Sequence, residues 1–365
     1  MKIGIFGGSF DPIHRSHVRV IEESIRQLDL DKILVVPTAN NPWKDSAGAT
    51  KTQRLKMLDI ALKRYAKVEI CRYEIDQDNL EKNYTIDTLK HFKKVYPDDN
   101  LYFIMGMDQA SLFHKWRKAD EISKLVQLVV FDRIGYQTND NLKKYHFIKL
   151  DLIASDDASN DIRNGKLHAL APEVLKYIVS NGIYLETIIK TKMSKKRYRH
   201  TVSMAHLAKK FAKKNDVDPT KAYVAGMLHD IAKEMDHDQA LKIMQEHYPA
   251  YLDKPVPVWH QWLSEYVAKE EYLVEDQEIL QAIRHHTTAS TMMSKLDMCI
   301  YTADKYDPSR DYDSSKEIKL CKKDIEAGFK ACLQDFYDFS KKKGRSIDQS
   351  FFDVYKVYVK GDINE

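Results

Sequence analysis

The sequence predicts two domains of unlike class: a doubly wound α/β domain on a parallel sheet over residues 1–188, then an all-α domain over residues 189–365. Three observations carry this. Short β-branched runs alternate with amphipathic stretches up to about residue 150, the rhythm of a parallel sheet covered by helices on both faces. After about residue 190 strand signals almost vanish and the apolar spacing turns helical. The chain's 365 residues, 43% hydrophobic and 31% charged, suffice for two cores and are too mixed for disorder.

In the first half, KIGIF from Lys2, KILVVP from Lys32, KVEICRYE from Lys67, NLYFIMG from Asn100 and QLVVF from Gln127 read as strands. PEVLKYIVSNGIY, from Pro172 to Tyr184, reads as a closing helix that proline starts and Asn181-Gly182 stops. The lysine-rich KTKMSKKRYRH then leads into HTVSMAHLAKKFAKK, PTKAYVAGMLHDIAKEM, QEILQAIRHH and LDMCIYTADKY, each with helical periodicity. A last core helix is expected after about residue 340. The short lysine clusters are expected to be solvated faces.

Lysine and arginine number 58 against 54 aspartates and glutamates, so the basic excess of a duplex-binding module is missing and no nucleic-acid partner is expected. No apolar run approaches the ~20 residues that cross a bilayer, and the N-terminus lacks the order of a secretion signal. No membrane partner and a cytoplasmic location are therefore expected. Cys71, Cys299, Cys321 and Cys332 show no C-x-x-C spacing, which predicts reduced thiols. Oligomeric state is not legible.

The first chemical site begins where the opening strand runs into GGSFDPIHRSH. Gly7 and Gly8 put no Cβ in the way of a phosphate approaching backbone N–H groups and a helix N-terminus. Neither G-x-G-x-x-G nor a P-loop G-K-[ST] is present. His14 and His17, at i and i+3, share one face of a first helical turn beside the positive end of its dipole. That dipole contributes only about 0.3–2 kcal/mol, whereas phosphoryl chemistry asks for a barrier reduction above about 8 kcal/mol. Further donors and a metal must share the work.

GGSFDPIHRSH resembles the G-G-S/T-F-D-P-I/V-H-x-G-H signature of nucleotidyltransferases, and specifically the nicotinate-nucleotide adenylyltransferases of NAD biosynthesis. The resemblance spans about residues 1–186 and continues in VPTANNPWK, YTIDTL, FIMGMDQASLFHKW and the closing NGIY. It implies a Rossmann-like fold and transfer of AMP from ATP to nicotinate mononucleotide, whose phosphate attacks without a protein base. Catalysis is then positioning and charge stabilisation. By the same resemblance Gly7, Gly8, Ser9 and Phe10 line the ATP cleft, His14 and His17 meet its phosphates, and Lys44 adds positive charge. Asp108 takes the adenosine side, Thr85 and Trp116 hold the nicotinate ring, and magnesium arrives with ATP. Two departures stand out. Ser16 replaces a glycine between the histidines, and ASNDIR (158–163) replaces S-S-T-x-I-R, leaving Ser159 and Arg163 as phosphate donors.

The helical half carries a second set of polar groups on apolar faces. His229 and Asp230 are adjacent in AGMLHDIAK, and His229 shares a face with Ala222, Ala225 and Ala232. His200 opens the first helix, His286 follows Ile279, Ala282 and Ile283, and Asp304 lies on the face of Ile300. Ligand-type side chains facing inward from four helices are costly unless they meet a common cation. A second pair, His237-Asp238, sits in polar KEMDHDQA and is read as surface.

The order His200, His229-Asp230, Asp304 resembles the HD-domain metal phosphohydrolases. The fuller string through VWHQ and IRHHTTA to TADKYDPSRD resembles their YqeK-like branch, symmetrical hydrolases of diadenosine tetraphosphate, over about residues 192–340. This implies cleavage to ADP, with His260 and His286 completing a two-metal centre of iron, manganese or cobalt and Asp230 bridging the ions. Lys233, Asp307 and Arg310 then bind the phosphate chain. Small-molecule nucleotides are the partners implied for both halves. Other readings stay open: a pantetheine phosphate as the first site's nucleophile, and for the helical half a nucleotidase, an RNA phosphodiesterase or a non-catalytic nucleotide sensor.

Overall fold

The first unit is built on six strands, β1 (Lys2–Gly8), β2 (Lys32–Pro37), β3 (Val68–Ile70), β4 (Asn100–Gly106), β5 (Gln127–Arg133) and β6 (Ile148–Ala154). They lie in the order β3-β2-β1-β4-β5-β6, every neighbouring pair parallel. The computed structural model describes residues 1–39, 48–77, 84–136, 140–154, 159–310 and 312–360. The strand order reverses between β1 and β4, the switch point of a doubly wound sheet, beside which ligands of this architecture bind. All five expected strands form, β3 much shorter than KVEICRYE suggests. The sixth, β6, was not anticipated, although its edge position is written in a two-residue alternation of buried Leu150 and Leu152 with exposed Asp151 and Ile153.

Among the described residues, seven helices accompany the sheet: α1 (Arg15–Leu28), α2 (Lys51–Leu62), α3 (Thr85–Val95), α4 (Met107–Ala110), α5 (Ala119–Leu125), α6 (Asp140–Lys144) and α7 (Ser159–Arg163). Central strands are apolar on both faces. Ile3, Ile5, Leu34, Val36, Phe103, Met105, Leu128 and Val130 pack with Leu89 and Phe92 of α3 in one buried cluster. Thr50 and Gln53 start α2 with a reciprocal capping box.

The chain divides between Val174 and Leu175, ahead of the expected 188/189. The reason lies just beyond α8 (Pro172–Ser180). Gly182, at φ +65°, ends that helix so close to Tyr223 that a Cβ there would lie 2.8 Å from its ring. Helix α9 (Leu185–Lys190) then packs on α10 (Lys195–Lys214) and α11 (Pro219–Leu228).

The second unit continues with α12 (His237–His247), α13 (His260–Glu270), α14 (Gln277–His285), α15 (Lys295–Lys305), α16 (Ser315–Lys323), α17 (Ile325–Lys342) and α18 (Gln349–Tyr355). Helix α18 buries Phe351, Val354 and Tyr355, so the core helix expected after about residue 340 forms. No helix among the described residues is long and apolar enough to cross a membrane.

Helices α10 and α11 touch most closely at Gly226, where a Cβ would lie 2.7 Å from the Ala205 Cα. Backbone cannot yield as a side-chain tip can. Gly226→Ala is expected to destabilise the helical unit by about 1–3 kcal/mol, read as a lower midpoint of thermal unfolding.

Candidate active sites

Gly7 and Gly8 end β1, and Gly106 leads from β4 into Met107 and Asp108 of α4 at the same edge of the sheet. A Cβ on Gly7 would meet nothing nearer than the Val36 carbonyl at 4.0 Å, whereas one on Gly8 would press to 3.1 Å from the Phe10 ring. Gly7 thus leaves room for a ligand, and Gly8 leaves room for Phe10. That ring is buried at a backbone φ of +45° and meets His17 edge-on, centroids 5.0 Å apart. His14 caps α1, and its backbone N–H donates to His17 Nδ1 at 3.3 Å while the two rings lie 3.7 Å apart. The bond occupies the Nδ1 lone pair, so the proton of a neutral His17 sits on Nε2.

The turn between these groups is braced from distant parts of the chain. Asp11 accepts from the Gly48 and Ala49 N–H groups at 2.9 and 3.0 Å. Arg163 donates to the Asp11 carbonyl at 2.5 Å, and the Ser159 hydroxyl to the Pro12 carbonyl at 3.0 Å. Ser16 is buried in the first turn of α1, which forms without a glycine there. On the far side Asp108 pairs with Arg133 at 3.0 Å. Trp116 packs against Phe113 and Phe103, centroids 5.4 and 6.1 Å away. Its neighbour Arg117 lies 4.4 Å over the Tyr84 ring, which brings the Trp116 segment to the end of α3 where Thr85 stands. Lys44 and Ala158 lie outside the described residues.

In the helical unit, His200 of α10, His229 and Asp230 at the end of α11, His260 of α13, His286 after α14 and Asp304 of α15 converge. Two sets of ligand atoms, His200–His229–Asp304 and His229–Asp230–His286, each lie within 4.8 Å of one another and share His229. Three imidazoles are anchored alike. Nδ1 of His229, His286 and His260 meets the carbonyl three residues earlier, on Gly226, Ile283 and Pro257, at 2.7, 2.6 and 2.9 Å. An Nδ1–H donating outward leaves the Nε2 lone pair facing the cluster, the orientation a metal-ligating histidine needs. Nε2 of the fully buried His229 and Oδ1 of Asp230 have no hydrogen-bond partner among the described residues. Orphaned polar atoms this deep are costly, and a cation would satisfy both, so the residues fit a divalent metal.

The electrostatics agree. Burial draws the His229 pKa down to about 4 and that of His260 to about 2, keeping both rings neutral. Burial also works against the Asp230 and Asp304 carboxylates. Both nonetheless lie well below the ordinary range, Lys305 holding the second down. His200 runs the other way: burial opposes its charge, but Asp304 at 3.1 Å and Asp307 at 2.7 Å outweigh it and push its pKa up to about 9. The pull that holds a proton there is the same pull that attracts a metal cation. His237 and Asp238 are exposed, as expected.

Residues 5–165 match the Cytidylyltransferase-like family and residues 197–309 the HD domain family. A Mycoplasma pneumoniae protein named "Probable nicotinate-nucleotide adenylyltransferase/Ap4A hydrolase" is 32% identical over 343 residues, 90% of this chain and 97% of its own length. A Mycoplasma genitalium protein of the same name is 31% identical over 347 residues, 91% of this chain and 97% of its own. The chain belongs to the nicotinate-nucleotide adenylyltransferase/Ap4A hydrolase family. A shorter relative from Nitratiruptor, named "Probable nicotinate-nucleotide adenylyltransferase", is 37% identical over 49% of this chain and 97% of its own length.

Several residues expected at the two sites also bond to the protein itself. Ser159 and Arg163 spend hydrogen bonds on the Asp11-Pro12 turn. Asp307 is fully buried, accepting from Ser203 at 2.5 Å, from Ser309 and from the His200 ring. A carboxylate so enclosed orients His200. Arg310 is tied to the Asp304 carboxylate and carbonyl, both at 2.9 Å. Lys233 stands 3.0 Å from His260 Nε2.

Two arginines escaped the sequence reading. Arg54, 3% exposed, donates to the Ser9 carbonyl at 2.7 Å and fixes the loop after β1. Its sharing of a helix face with Met57 and Leu58 was the available signal. Arg197 pairs with Asp230 at 2.6 Å.

Proposed function

We propose that the first unit transfers AMP from ATP to nicotinate mononucleotide, and that the second cleaves diadenosine tetraphosphate symmetrically into two ADP. For the first activity the carrying observation is the Gly7-Gly8 strand end facing a helix capped by His14 with His17 one turn on. An oxygen of the mononucleotide phosphate attacks the ATP α-phosphorus and the bond to the β-phosphate bridging oxygen breaks. Pyrophosphate leaves and no proton need be taken by the protein. Charge building on the leaving phosphates is met by His17 Nε2–H, by the His14 ring and by the positive end of α1. Arg54, Ser159 and Arg163 hold the turn in place and so keep these donors organised before substrate arrives.

For the second activity the carrying observation is the pair of ligand sets joined at His229. His200, His229, Asp230, His260, His286 and Asp304 would hold iron, manganese or cobalt as a pair of ions. A transition metal bound there supplies charge neutralisation for the phosphate chain and activates a water. Asp307 fixes the His200 ring. Lys233, whose pKa burial lowers, offers an ammonium at the rim for the chain.

Two assays on the intact protein test the reading: pyrophosphate release from ATP and nicotinate mononucleotide, and ADP formation from diadenosine tetraphosphate with each metal in turn. Absence of either product with every metal ends the corresponding half. Trp116→Ala discriminates the first substrate. Losing a stacked ring is worth about 1–3 kcal/mol, so KM for nicotinate mononucleotide is expected to rise roughly 10-fold or more while KM for ATP stays level. Equal changes in both would point to a different nucleophile.

A further inference from the structure

The hydrolytic site holds a cationic side chain with more donors than its carboxylate partner uses. Arg197 sits in the first turn of α10, three residues before His200 and on the same face. That turn is clamped: the Ser194 N–H and hydroxyl donate to the two Glu234 carboxylate oxygens at 2.7 and 2.6 Å. From there the Arg197 Nη1 reaches Asp230 Oδ2 at 2.6 Å, opposite the oxygen that faces His260 and His286. The carboxylate is buried, but the Arg197 side chain remains 29% exposed, so the guanidinium spans from the ligand cluster to its mouth. Its Nε lies buried with no partner among the described residues.

The placement runs against helix electrostatics. Lys195, Lys196, Arg197 and Arg199 crowd the positive end of the α10 dipole, and the first turn holds no acidic residue. Cations there cost stability unless anions compensate them, and Glu234 and Asp230 do so in part. Asp230 engages one of the five N–H groups a guanidinium carries. The planar fork that remains matches two phosphate oxygens, which an ammonium cannot do.

We propose that Arg197 is a phosphate-binding residue of the hydrolytic site, orienting Asp230 with one amino group and presenting the rest of its fork to the polyphosphate chain. The assignment rests on the hydrolase reading of the helical unit. It accounts for a cation held against Asp230 yet open to solvent.

The test uses the full chain loaded with manganese and compares wild type, Arg197→Met and Arg197→Lys. Manganese per chain is read by elemental analysis, and binding of a methylene-bridged diadenosine tetraphosphate analogue by calorimetry. Charge-assisted bonds of this kind correspond to about 10- to 100-fold in affinity. Arg197→Met is expected to lose that much analogue affinity with manganese content unchanged, and Arg197→Lys to fall between it and wild type. Unchanged analogue affinity would overturn the assignment. So would a loss that tracks lost manganese, because Arg197 would then act only by holding Asp230. Should Arg197→Met fail to fold, Arg197→Lys decides alone, a lysine as good as the arginine counting against the fork. Wild type that loads manganese but neither binds the analogue nor hydrolyses the substrate removes the hydrolase reading and this one with it.

Discussion

Asp230→Asn is expected to abolish hydrolysis of diadenosine tetraphosphate, by about 10³-fold or more, and to strip the helical unit of bound metal while leaving adenylyl transfer intact. The side chain keeps its size, so packing is not the cause. Oδ2 is held by Arg197 at 2.6 Å, while Oδ1 faces the cluster 3.3 and 3.6 Å from Nε2 of His260 and His286 and has no hydrogen-bond partner among the described residues. Among the described residues Asp230 is the only carboxylate in its ligand set. An amide withdraws the negative charge and leaves Arg197 facing a neutral group. Arg197 is partly exposed, so breaking the pair costs less than the about 3–5 kcal/mol of a fully buried one, and the unfolding midpoint should fall modestly. Elemental analysis, ADP formation and pyrophosphate release from one preparation read all three effects. Retained metal with normal ADP formation would refute the site.

His14→Ala gives the second largest expected change, a fall of about 10²–10³-fold in adenylyl transfer, with ADP formation from diadenosine tetraphosphate unaffected. The magnitude is that of a preorganised donor removed from developing charge, about 2.7–4 kcal/mol. Loss of helix capping alone does not explain it, because a cap contributes about 1 kcal/mol to stability and does not enter the rate of a chain that stays folded. The imidazole of His14 also lies against His17, and its removal frees the second ring to turn. His17→Ala is therefore expected to match it closely, and the double variant to lose little more than either single one. Additive losses would mean that the two rings act independently.

Much of this arrangement was legible because it is local. A glycine pair at a strand end, histidines one turn apart and a His-Asp step in an apolar helix are all short-range patterns, and each marks a position the structure uses. What was missed depends on distant segments. Arg54 and Arg197 look like ordinary helix arginines until the fold shows the Ser9 carbonyl beside one and Asp230 beside the other. The resemblance assigns Asp307 to the phosphate chain, but its enclosure by Ser203, Ser309 and His200 cannot be read from its sequence neighbours. Strand β6 failed for a different reason. Edge strands expose half their side chains, and its charged alternate positions diluted the apolar run that made the central strands plain. The division at Val174 was hidden because helix α8 continues unbroken through it.

The bracing of the Asp11-Pro12 turn also bears on synthesis at the ribosome. The loop emerges among the first residues, but Ala49, Arg54, Ser159 and Arg163 complete its support, the last of them 152 positions downstream. Contacts so far apart in the chain form late. A nascent polypeptide therefore carries its glycine strand and histidines before their bracing is complete, and premature termination before Ser159 leaves the binding loop with the support of Ala49 and Arg54 but not of Ser159 and Arg163.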